Sequence, residues 1–209
     1  MKLPFLSSLF VFIIWLAYEI KKHRAIETKP LEDFLARERE ADNTPVKPLD
    51  NLDYIVIPLE ALPTGLFPED EEIRECVETL VRLSENKIVN LTGFSNTDLK
   101  LAYGALNIGK LSTYDQNYTV LARTLQKWAN LLIRRGRLAE AVPILEFSVE
   151  TKTDVSEAYR ILAEYYAENG MPDKIAALRE TAESLRSLQK PVILKLLSSY
   201  AQEEAPQLS

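Results

Sequence analysis

The chain has 209 residues, with 25 Lys+Arg against 31 Asp+Glu, 46% hydrophobic residues, one Cys and one His. This composition excludes a disordered, collagen-like or disulfide-stapled chain, and a single Cys with a single His excludes the zinc sites built from those residues. The length permits one modest core or two small ones.

Residues 3–18 read LPFLSSLFVFIIWLAY, without a charge, and are followed by Glu19, Ile20 and the basic run Lys21, Lys22, His23, Arg24. A helix of 16 to 18 residues covers about 24–27 Å against a hydrocarbon core of about 30 Å. Snorkelling by Lys2, Lys21 and Lys22, or a thin bilayer, closes that difference. Trp15 and Tyr18 stand where interfacial aromatics belong. The basic cluster follows the apolar run instead of preceding it, no small-x-small site comes after it, and the run is apolar nearly all round. A cleaved signal peptide, a buried soluble helix and a surface-lying helix are the weaker readings. The expectation is a transmembrane anchor over 3–20, with the lipid bilayer as a partner through those residues. The positive flank implies a single-pass membrane protein whose C-terminal domain is cytoplasmic.

Setting aside residues 1–24 removes four basic residues and one acidic one, which leaves 21 Lys+Arg against 30 Asp+Glu and a net charge of −9. Such a surface repels nucleic-acid backbones, and no aromatic-and-basic stripe offsets it, so nucleic acid is not an expected partner.

Between the anchor and the helical region, LEDFLARERE reads as a short helix and ADNTPVKP as a linker. DYIVIP at 53–58 has the β-branched and aromatic enrichment of a short extended segment, closed by its proline, and LPTG at 62–65 is a turn. From Pro68, EDEEIRECVETLVRLSE places Ile73, Val77, Leu80 and Val81 on one helical face, with acids at the start where they favour the helix dipole. The acids at 69–72 lack the alternation and central glycine of a calcium loop. Cys76 has no neighbouring His or basic cluster and reads as a small semi-buried thiol, not a nucleophile.

Ser95 or Asn96 caps a helix beginning near Thr97, and Gly104 marks close packing or a helix interruption. NLT at 90–92 and NYT at 117–119 match the N-glycosylation acceptor pattern, which has no bearing on a cytoplasmic domain. NIGK at 107–110 lacks the glycines of a phosphate loop.

An internal comparison carries the most information. Trp128-Ala129, Gly136 and Ala141-Val142 recur 34 residues later as Leu162-Ala163, Gly170 and Ile175-Ala176. A period of that length, built from two helices, is a solenoid signal, because each hairpin needs a neighbour to bury its apolar face. LQKWANLLIRRG and YRILAEYYAENG would supply the first helix of each pair, and AEAVPILEFSV and KIAALRETAESL the second.

On these residues the chain resembles the tetratricopeptide repeat (TPR) family. The stronger match is 156–189, with Ala182 near its end. The weaker is 122–155, with Leu125, Trp128, Ala129, Leu132, Gly136, Ala141, Leu145 and Ser148 in corresponding places. Pro143, and Ile175 where a small residue is usual, depart from the pattern. The resemblance implies antiparallel helix pairs and a protein or peptide partner. Some members grip a carboxylate with Lys, Asn and Arg on the inner face; Asn130 matches one such position, but Gln126, Glu157 and Glu164 occupy others, so that role is not carried over.

The fold expected is all-α, a TPR-like antiparallel helix-hairpin array, or α-solenoid, with an N-terminal transmembrane helix and a short extended segment. Its organisation reads as an anchor at 3–20, a juxtamembrane helix, linker and extended segment at 21–67, a further helix and connection at 68–94, the helical domain at 95–200 and a polar tail at 201–209. The function expected is a membrane-tethered TPR-like protein-interaction module, an adaptor or scaffold, without catalysis. The alternatives are a structural subunit of a membrane complex and an enzyme with a carboxylate-based site. The candidate partner contacts are Gln126, Asn130, Arg134, Arg135, Arg137, Arg160 and Glu164, and neither cofactor nor metal is expected.

Overall fold

A computed structural model describes residues 12–13, 15–16 and 31–202. Among them the chain is all-α. Helix α1 occupies 31–42, followed by α2 (Glu71–Ser84), α3 (Asn96–Tyr103), a 3-10 turn (Ala105–Asn107), α4 (Ile108–Arg134), α5 (Leu138–Glu150), α6 (Ser156–Glu168), α7 (Pro172–Ser184) and α8 (Lys190–Gln202). Two compact units arise, the first from Met1–Lys47 and Ser95–Ile108, the second from Pro48–Phe94 and Gly109–Ser209.

In the first unit, α1 and α3 are joined through polar groups at the edge of a small buried contact that includes Ala41. Arg37 reaches Asp98 at 2.6 Å, and Lys100 lies 2.7 Å from Asp42 and 3.3 Å from Glu38, whose carboxylate also accepts from Thr97. Ser95 caps α3 as the sequence anticipates. Its hydroxyl accepts from the Asp98 amide while the Asp98 carboxylate accepts from the Ser95 amide, a reciprocal box that satisfies two otherwise orphaned donors. Gly104 ends α3 at φ 87°, ψ 145°, a region nearly closed to other residues, and lies directly against Pro45 and Val46. The buried Asn107 amide donates to the Lys47 and Tyr103 carbonyls at 2.8 and 2.7 Å, fastening the chain beside that glycine.

The second unit holds the main core, in which Trp128, Tyr159, Ile73, Leu80, Leu125, Leu131 and Ile144 are fully enclosed. Helix α2 contributes Ile73, Cys76, Leu80 and Leu83, the i, i+3, i+7, i+10 stripe of an amphipathic helix. Asp70 caps it, accepting from the Glu72 and Ile73 amides at 3.1 and 3.2 Å, and also pairs with Arg135 at the end of α4. Burial pushes the Asp70 carboxyl up, but the Ile73 amide and the Arg135 guanidinium together hold it below its ordinary value. Its contribution to stability is therefore complete above the unfolded carboxylate value and fades as pH falls through the lower folded value. Asp70→Asn should flatten the acid limb of the stability profile below about pH 4. Urea midpoints measured across that range would show it, and equally steep limbs in both proteins would refute this role.

Residues 53–58 do not form a strand. Tyr54 makes one isolated antiparallel bridge with Val89, and the Ile55 amide donates to the Ile88 carbonyl at 2.9 Å. The β-branched run is consumed by covering the helices, with Ile57 buried and Val56 outward, so the ladder stops after one rung.

The expected TPR-like array and α-solenoid are corrected. The 34-residue period survives as two three-residue turns, with Gly136 and Gly170 at φ 73° and 63°, but not as a repeated structural unit. The segment read as the first helix of the first pair is the second half of the 27-residue α4. Helix α5 buries seven residues, whereas α7 buries only Ile175, Leu178 and Ala182, and Ala176, the counterpart of buried Val142, is exposed. The spacing matched because any two helices joined by a short glycine turn place apolar residues at similar intervals.

The membrane anchor is corrected as well. Most of 3–20 lies outside the described residues; Phe12, Ile13, Trp15 and Leu16 are helical and exposed. Among the described residues no helix is long and apolar enough to cross a membrane. The uncharged run of 16 residues gives only about 24 Å of helix, less than a bilayer core requires without help from its flanks. The bilayer partner, the single-pass localisation and the cytoplasmic assignment resting on that anchor fall with it.

Candidate functional site: a groove of mixed charge on α4, α5 and α6

Within the second unit, the sequence spacing puts Asn130, Ile133 and Arg134 on one face of α4, at i, i+3 and i+4. Glu157, Arg160, Ile161, Glu164, Tyr165 and Glu168 share one face of α6. With Leu138 from the start of α5 these residues line an open groove of about 360 Å³. Its apolar surface comes from Ile133, Leu138, Ile161 and Tyr165, and its charge from three carboxylates and two guanidinium groups.

Arg160 is locked between two of the acids. It donates from Nε and a terminal nitrogen to Glu157 at 2.9 and 2.7 Å, and to Glu164 at 2.6 Å. These bonds hold the Glu157 carboxyl below its usual range and push the guanidinium up. Glu164 also accepts from the Tyr200 hydroxyl of α8 at 3.3 Å. The side chains of Arg134 and Glu168, by contrast, make no hydrogen bond or ion pair with any described residue, and neither charge comes within 4.0 Å of the other.

Of the residues singled out from the sequence, Asn130, Arg134, Arg160 and Glu164 meet in this groove. Gln126 reaches it indirectly, its amide nitrogen donating to Asn130 Oδ1 at 3.0 Å. Arg135 and Arg137 are turned to other work, the first to Asp70 and the Leu131 carbonyl, the second to Glu140 at 3.1 Å and over the Phe67 ring. The sequence reading missed Tyr165 and Glu168, although both follow from the i, i+4 rows through Ile161 and Glu164. It also missed the floor residues Ile133, Leu138 and Ile161, which only the packing of three helices brings together.

Other candidates resolve into structural roles. Cys76 is buried and its thiol is pushed up by that burial, which keeps it protonated. Asn90 donates to the Thr151 and Lys152 carbonyls, both at 3.0 Å, and Asn117 to the Lys87 carbonyl at 2.9 Å, so both acceptor-pattern asparagines have their amide nitrogens engaged in fastening loops. Burial raises the hydroxyls of Tyr118, Tyr159 and Tyr166 away from neutrality. Among the described residues no group of three His, Cys, Asp or Glu could hold a metal ion.

Fold and site together define an all-α protein with a charged, partly apolar groove on three helices. No protein-family model matches the chain, and no curated protein or solved structure matches it either. The TPR assignment is corrected on this ground in addition to the unequal helices. The membrane-tethered adaptor or scaffold, with its protein or peptide partner, rested on that assignment and on the anchor, and the alternative of a membrane-complex subunit rested on the anchor; these readings are withdrawn.

Proposed function

We propose that the chain is a non-catalytic binding domain whose ligand occupies the groove formed by α4, α5 and α6. The observation carrying this reading is the contrast inside the groove: Arg160 is spent on Glu157 and Glu164, whereas Arg134 and Glu168 line the same partly apolar space with no side-chain partner among the described residues. A volume of about 360 Å³ falls at the small end of ligand pockets, which suits a small molecule with an apolar body. Binding without turnover is favoured by the protonation pattern. The groups moved most from their ordinary values are tyrosines and Arg160, all moved towards retaining their protons, while Glu157 is held ionised by a salt bridge.

A fragment screen read by methyl NMR tests the reading. Hits should perturb the methyl groups of Ile133, Leu138 and Ile161 and be recovered chemically unchanged. Hits gathering on another surface, or recovered converted, would overturn it.

A further inference from the structure

Resting on the groove as the binding site, we infer that its ligand is a small dipolar amphiphile, with an anionic group for Arg134, a cationic group for Glu168 and an apolar body between them. Five neighbouring cations are spent on nearby acids. Lys127 pairs with Glu75, Arg135 with Asp70, Arg137 with Glu140, Arg160 with Glu157 and Glu164, and Lys174 with Glu146. Arg134 and Glu168 line the same groove, carry opposite charges and yet stay more than 4.0 Å apart. They leave two opposite charges unpaired in the same groove, with Ile133, Leu138, Ile161 and Tyr165 lining the space.

A purely anionic ligand would meet Glu168 unneutralised, and a purely cationic one would meet Arg134. A dipolar ligand satisfies both and buries its hydrocarbon on the floor. The locked Glu157–Arg160–Glu164 group adds selectivity. Its internal bonds spend the Arg160 charge and leave one net negative charge, so it gives a purely anionic ligand no counter-charge. The open groove leaves each new pair exposed to solvent, which limits the gain to roughly fivefold in affinity per charge.

The test compares four probes on the full chain by the same methyl signals: 6-aminohexanoate, hexanoate, hexylammonium and hexanol. The expected result is that 6-aminohexanoate binds roughly fivefold tighter than either singly charged probe. Arg134→Gln should reduce its affinity to that of hexylammonium, and Glu168→Gln to that of hexanoate. Both side chains are exposed and unpaired among the described residues, so the variants keep the fold; unchanged urea midpoints verify it. Equal binding of hexanol and 6-aminohexanoate would overturn the dipolar ligand while leaving the groove as a binding site. No shift at these methyls with any probe, or with fragments, would overturn both. Tighter binding of a terminally blocked Lys-Leu-Leu-Glu peptide than of 6-aminohexanoate would overturn the assignment to a small molecule.

Discussion

Trp128→Ala removes about 3–5 kcal/mol from the stability of the second unit. Trp128 is fully buried, shares its core with Leu125, Leu132, Ile144, Leu145, Tyr159 and Leu162, and is the largest side chain there. Its indole nitrogen has no hydrogen-bond partner among the described residues, so the loss is one of apolar contact and a residual cavity, with no broken hydrogen bond to add. Against a total of about 5–15 kcal/mol for an ordinary domain, that leaves the variant marginal at 25 °C. Urea unfolding followed by far-UV circular dichroism measures it, with Trp128→Phe as the milder companion. A loss under about 1 kcal/mol would mean that the helices collapse onto the gap, which the close-packed core does not predict.

The second large effect is Gly104→Ala in the first unit. At φ 87° and ψ 145° an alanine is strained wherever its methyl points, and here a Cβ would lie 2.7 Å from the Pro45 carbonyl oxygen and 2.8 Å from Val46 Cα. Both are backbone atoms of the segment that the Asn107 amide and the Lys47 amide hold in place, so the obstacle cannot swing aside as a side-chain tip would. Backbone strain and overpacking together cost about 3 kcal/mol. Amide exchange in α3 should accelerate by about 100-fold. Gly136→Ala is the control, because φ is 73° but nothing lies within 4 Å of the added carbon; it carries the conformational cost alone, about 1–2 kcal/mol. Equal effects at the two sites would show that the contact with Pro45 and Val46 has no energetic weight.

The helices themselves were legible. Ile73 and Leu80 on the buried face of α2, a cap at Ser95, one of the two residues offered for it, and the glycine turns at 136 and 170 are local features, set by residues a few positions apart, and appear as read, whereas Val81, read on the same face of α2, is exposed. Four of the ten groove residues were legible for the same reason, since Asn130 and Arg134 lie one turn apart, as do Arg160 and Glu164. What failed were inferences joining distant parts of the chain. A matched spacing between 128–142 and 162–176 did not disclose that α4 runs on for 27 residues, nor that α7 buries so much less than α5. Neither could spacing tell that Arg135 turns to Asp70 while its neighbour Arg134 faces the groove.

Composition and periodicity by themselves determined an all-helical protein with an acidic surface, no cysteine-based metal chemistry and helix ends at capping residues and glycines. Those properties follow from side-chain chemistry and hydrogen bonding within a few residues. Only the tertiary structure decided which charges are spent on one another and which remain unpaired beside an apolar floor. Ion pairing depends on distances across helices far apart in sequence, and a change of one position along a helix turns a guanidinium by about 100° to a different neighbour.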